Sequence, residues 1–169
     1  MPRDAQVWTT MKLLLAIDAD EPSELAVHSV EARPWPSGTQ IRVLSVNSVP
    51  PGEPPPDVPV PTAPLGEVPV VWPVGTLATH KVTEAASERI AARAVESLRS
   101  AGLFAEACVR DGQPGPEIVE EARRWHADLI VMGSHGYGAL KRLLLGSVAS
   151  HVLHHAPCSV EVVRRPARD

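Results

Sequence analysis

Three glycines and a serine in the last third of the chain carry its strongest chemical signal: Gly133, Gly136, Gly146 and Ser147. Glycine lets main-chain N–H groups approach an anion with no Cβ in the way. A helix N-terminus adds unpaired N–H donors and the positive end of a dipole. Together these make a phosphate cradle. The spacing separates the known phosphate motifs. GxxxxGK[ST] starts at Gly133 and reaches Gly138, but Ala139 stands where lysine is required, and GxGxxG starts at Gly136 and fails at Lys141. The pattern that holds is G-x2-G-x9-G-[ST]. In it, Gly133, Ser134, His135 and Gly136 offer backbone N–H groups on one side. Gly146, Ser147, Val148 and Ala149 close from the other, and the Ser147 hydroxyl donates a further hydrogen bond. Taken singly, Gly133 and Gly136 also read as a plain strand-to-helix turn and Gly146 as a kink; the complete spacing favours binding.

The other chemically capable side chains are fewer. Asp18 closes the apolar run Leu13–Ile17, and a carboxylate beside phosphates is repulsive unless a cation or a hydroxyl lies between them. It is equally a capping residue for a following helix. His135 is the side chain best placed for phosphate contact, although a lone histidine in a turn is weak evidence for chemistry. His151, His154 and His155 have the spacing of metal ligands on one helix face. Without acidic partners they read instead as histidines favouring a helix C-terminus, and no metal site is assigned. No GxSxG is present, and the sequence supplies no general base, arginine finger or acceptor pocket for efficient phosphoryl transfer. No catalytic residue is assigned.

These residues need elements to hold them. Leu13–Ile17 reads as a buried strand, and Asp20-Glu21-Pro22 starts a helix ending near Ala32, before the Pro34–Gly38 break. Ile41–Val46 is a second strand. Ten of the 18 prolines lie between Pro50 and Pro73, so 47–78 reads as an inserted extended loop. Thr79–Ala101 is the longest helix, with Val82, Ala86, Ile90, Ala94 and Leu98 as its apolar stripe and Gly102 as its stop. Leu103–Arg110 is the third strand. Pro116-Glu117 starts a helix carrying Ile118, Val119, Ala122 and Trp125. Leu129–Met132 is the fourth strand, ending at Gly133. A loop then reaches Leu145, a helix starts near Ser147, and Ser159–Arg164 is the last strand. Alternating strands and helices predict an α/β domain with a mostly parallel sheet covered on both faces.

The glycine pattern and this order of elements resemble the ATP-binding branch of the universal stress protein family. The resemblance implies a five-stranded open sheet of order 3-2-1-4-5, of the adenine nucleotide alpha hydrolase-like kind, in a single domain over 11–165 with a flexible leader at 1–10. It implies ATP as ligand, with Mg²⁺ or Mn²⁺ held through the phosphates, and a regulatory stress-response role with slow or no hydrolysis. Asp18 corresponds to the family's strand-one aspartate beside ribose and phosphates, Ala16 and Val46 fall where the family contacts adenine, and Met132 is expected in the same nucleotide site. Ala16 replaces a frequent proline or valine. Ligands of such sheets bind beyond the carboxyl ends of the strands where strand order reverses, which is between Asp18 and Gly133. The family also implies a homodimer through Ser159–Arg164, within which Glu161 stands at a commonly aliphatic position. The alternatives are a nucleotide-using enzyme of the same superfold, and an interaction module holding AMP, cyclic AMP or no nucleotide.

Composition excludes other classes. A net charge of −4 gives no electrostatic footprint for nucleic acid. No apolar run has membrane-spanning length, and the leader lacks a signal-peptide core, so the expected compartment is the cytoplasm. Cys108 and Cys158 lack CxxC spacing and read as free thiols in a reducing compartment.

Overall fold

The computed structural model describes residues 10–18, 21–48, 76–134 and 146–164, with the backbone alone at 21–22 and 76–83. Its elements run β1 (Lys12–Ile17), α1 (Glu21–Glu31), β2 (Gln40–Ser48), α2 (Thr76–Ser100), β3 (Phe104–Gly112), α3 (Pro114–Trp125), β4 (Leu129–Gly133), α4 (Ser147–His155) and β5 (Ser159–Val163). The five strands form one sheet in the order β3-β2-β1-β4-β5, every pair parallel. The expected architecture is the observed one. The Leu13–Leu15 run explains the centre: all three leucines are fully buried, since a parallel strand covered on both faces alternates between two cores. Each burial stabilises by about 2 kcal/mol.

On one face, Leu13, Leu15, Ile41, Val43 and Val131 pack against Ala26 and Val30 of α1 and Ala91, Val95 and Leu98 of α2. On the other, Leu14, Leu44, Ile130 and Met132 pack against Ile118, Val119, Ala122 and Trp125 of α3 and Ala149 and Val152 of α4. All four apolar residues expected of α3 are therefore core. Beyond Leu44 and Cys108 on this second face, charged side chains take over the cover of β2 and β3. Glu121 of α3, 1% exposed, accepts hydrogen bonds from Arg42, Arg110 and Arg124. Arg42 also donates to Glu106, and its guanidinium lies 4.5 Å from the Trp125 ring centroid. Burial alone would push the Glu121 carboxyl up, but the hydrogen bonds from Arg110 and Arg42 outweigh it and hold the group below its ordinary range.

Element ends differ from the sequence reading in instructive ways. β2 continues through Asn47 and Ser48, and α2 begins at Thr76, so both ends of the expected 47–78 loop belong to regular elements; 49–75 lies outside the described residues. Asn47 is buried and its side-chain amide donates to Asp111 at 2.8 Å, which carries the strand past the point where the apolar pattern fades. α3 starts at Pro114, two residues before the expected Pro116, because proline at N1 has no N–H to satisfy. Gly102 stops α2 as expected, with φ +82° and the Leu103 N–H returned to Leu98.

Candidate functional site

The carboxyl ends of β1 and β4 meet at the strand-order reversal. Ala16 and Met132 are register partners there. Both side chains are buried in the layer shared with α3 and α4, and Val46 and Val148 pack against that layer. Three residues expected in the nucleotide site therefore share one face at one end of the sheet. Alternation dictates this: each is an even-numbered residue of its strand, and even-numbered side chains of these strands point to the α3/α4 side.

The two halves of the glycine pattern are brought together by backbone bonds. Gly133 ends β4 in register with Val163. Ser134, buried, gives its N–H to Val163 O at 3.0 Å, and its carbonyl accepts the Gly146 N–H at 3.0 Å. Eleven residues of chain therefore leave and return to the same peptide. His135 and Gly136 lie between, outside the described residues. Gly133 itself has ordinary strand geometry rather than positive φ, so the turn freedom expected of it is not used. What glycine contributes at this position is the missing Cβ.

Helix α4 starts at Ser147, as expected, with Gly146 at its N-cap and no side-chain cap. Its first-turn N–H groups have no intrahelical acceptor, and Gly146 has no side chain to take them. Ser147 is exposed and Ala149 buried, so the opening turn faces outward on one side and is rooted on the other. Gly115 of α3 packs directly against α4: a Cβ there would meet the His151 ring at 2.9 Å. His151 stacks on His155 at 4.3 Å, while His154 and His155 turn Nδ1 to the carbonyls of Ser150 and His151. These histidines are occupied in packing and in closing the helix end.

Asp18 follows β1 directly. Its N–H is received by Ser23 Oγ at 2.9 Å, and the Ser23 hydroxyl donates back to Asp18 Oδ1. This ties the Asp18 carboxylate to Ser23 in the first turns of α1. The residue-level reading passed over Ser23; its signal is a hydroxyl five positions after a strand-ending aspartate. Asp18 also borders a cleft of about 390 Å³ between α1 and α2, with Ile17, Val27 and Ile90 as its apolar wall and Arg93 across it. Among the described residues, then, the site offers N–H donors, one hydroxyl and one carboxylate around an apolar floor.

The profile of the Universal stress protein family matches residues 9–164. Among curated relatives, universal stress protein Sll1388 of Synechocystis sp. is 41% identical over 70 residues, 41% of this chain and 46% of that protein. Universal stress protein MJ0531 of Methanocaldococcus jannaschii is 51% identical over 59 residues, 35% of each. The chain thus matches less than half the length of either relative. Among solved structures, hypothetical protein MJ0577 superposes with a TM-score of 0.70 at 24% identity, over 95% of this chain and 99% of that one. A family member from Arabidopsis thaliana with AMP bound gives 0.62 at 19%, over 93% of each chain. A universal stress protein in complex with cAMP gives 0.56 at 19%, over 91% and 96%. At such identities these structures speak for the fold alone.

Proposed function

Because the chain belongs to the universal stress protein family, we propose that its crevice binds an adenine nucleotide, ATP with Mg²⁺ or Mn²⁺, and that the protein is a cytoplasmic, nucleotide-responsive regulator with slow or no hydrolysis. The observation that carries this reading is the Gly146 N–H on the Ser134 carbonyl, which sets both halves of the glycine pattern around one opening. Ala16, Val46 and Met132 supply an apolar surface for a base. The N–H groups of Gly133 through Gly136 and Gly146 through Ala149, with the Ser147 hydroxyl, would hold phosphates. A bound divalent cation would neutralise phosphate charge beside Asp18. The AMP and cAMP named for two structural neighbours support the adenine class, and the intact Gly146-Ser147 half favours the triphosphate. Dimerisation through β5 belongs to the same proposal. Glu161 is held in a two-point pair by Arg33, so its charge is met within the chain and does not oppose pairing of that edge.

The test is mass spectrometry of nucleotide released from freshly purified protein, followed by calorimetric titration with ATP and Mg²⁺, AMP and cAMP. Released or tightly bound ATP is expected. Gly133→Val should abolish binding at unchanged thermal stability, because Gly133 has strand geometry that valine adopts readily. Loss of folding together with binding would assign Gly133 to structure, and failure of all three nucleotides would sink the reading.

A further inference from the structure

The sheet has a second edge, β3, whose residue order is self-complementary. Gln40 gives its N–H to Met11 on the β1 side, so along β2 the odd-numbered residues turn their backbone groups to β3. Along β3 the even-numbered residues turn back to β2, and Ala105, Ala107, Val109 and Asp111 turn N–H and C=O outward. Arg99 reaches the Ala105 carbonyl from outside at 3.0 Å, which places that carbonyl on the open side. Such a strand is a template for another strand.

We propose that β3 pairs antiparallel with β3 of a second copy of this chain, about a two-fold axis at Cys108. This register sets Glu106, paired with Arg42 in its own chain, directly opposite Arg110 of the second copy, which its own Glu121 holds, so the two ion pairs would join across the axis. Phe104, the most exposed large apolar side chain among the described residues at 66%, falls opposite Gly112, where an aromatic ring covers the gap left by a glycine. On the other face Ala105 falls opposite Asp111, so Arg99 at the Ala105 carbonyl meets an aspartate of the second copy. Slipping by two residues in either direction sets Glu106 against Cys108 or Gly112 and loses every one of these matches. Along the edge, α2 and β3 leave an open groove bordered by the small residues Ala92, Ser100 and Ala107 and by Glu96 and Arg99. It gives room for a facing α2 and carries both signs of charge. The interface is isologous, lies on the opposite edge from β5, and does not depend on nucleotide binding.

Cysteine chemistry reads the register. Cys108 sits in a non-hydrogen-bonded pair, where opposed Cα atoms are about 4.5 Å apart, within disulfide reach. Treated with diamide at mildly alkaline pH, two Cys108 thiols lose two protons and two electrons to form one disulfide, and diamide takes both up as the hydrazine. The full-length Cys158→Ser protein should cross-link to a dimer, and Cys108→Ser should not, Cys158 lying at the other edge. Ala107→Pro removes only an outward N–H, so it should leave the fold intact while lowering the cross-linking rate at least tenfold and shifting sedimentation toward smaller species. Glu106→Gln, which keeps an oxygen for Arg42, should weaken association. Cross-linking that persists unchanged in Ala107→Pro, or a Cys158→Ser protein that stays uncross-linked while native, overturns the proposal. The second result would mean that another segment, including residues 49–75 of this chain, covers the edge.

Discussion

The two faces of the sheet are closed by different physics. Under α1 and α2 the cover is mainly apolar, with single polar pairs at its margins, Arg33–Glu161 on β5 and Asn47–Asp111 between β2 and β3. Under α3 and α4 the apolar layer reaches Leu44 and Cys108, and the outer strands are then covered by Glu121, Glu106 and three arginines. Two helices cover more than the width of three strands on the first face, whereas on the second α4 is drawn toward β5 to bring its N-terminus to the crevice. On that face α3 reaches β3 chiefly through Glu121 and Arg110, and long arginine stems with paired heads complete the cover. The apolar floor of the site and the ionic patch thus share one face of the sheet.

The contrast is sharpened by substitution. Leu98→Ala, at a fully buried position of the apolar face, should cost about 3 kcal/mol in urea unfolding, equally at pH 7 and in acid. Glu121→Gln should cost about 2 kcal/mol at pH 7: removing one member of a fully buried pair costs about 3–5 kcal/mol, but the arginines here retain contact with water. The folded-state pKa of Glu121 is depressed. Its stabilising contribution is therefore complete above the unfolded carboxyl value of about 4.3, and it disappears as pH falls through the lower folded value. Wild type and Glu121→Gln should accordingly converge in acid. A gap that persists there would mean that Glu121 acts by shape alone, and the two faces would differ less than their composition suggests. Arg33→Ala, at the half-exposed Glu161 pair, should cost under about 1 kcal/mol, and that loss should shrink with added salt.

Legibility in the sequence follows the same division. The sequence of elements was readable because apolar periodicity and glycine spacing are local signals, whereas the strand order came from the family resemblance that those signals carry. Ile118, Val119, Ala122 and Trp125 announce their face by helical spacing, and all four are buried. Along α2, the expected stripe found Ala94 and Leu98, while Ala91 and Val95 are buried beside them, because a helix lying over two strands buries a wider arc than one i, i+4 row. Glu121 was unreadable. A glutamate among charged neighbours on α3 looks solvated, and only the fold reveals that Arg42, 79 positions away, returns to it. Ser23 escaped for the same reason on a smaller scale, since its partner depends on how α1 leaves the strand.

The hydrogen bonds at Ser134 tie the crevice to the far edge of the sheet. Val163, the last residue of β5, receives the Ser134 N–H, and Ser134 passes its own carbonyl to Gly146. Under the proposed function, a nucleotide bound beside Ser134 and a second chain docked on β5 would act on each other through these two hydrogen bonds, which sit on adjoining peptides. Thermodynamic linkage makes the exchange symmetric: the factor by which occupancy tightens pairing is the factor by which pairing tightens occupancy. One net hydrogen bond, about 1 kcal/mol, would set that factor at roughly five. On that proposal, ligand concentration and protein concentration would be two handles of a single equilibrium.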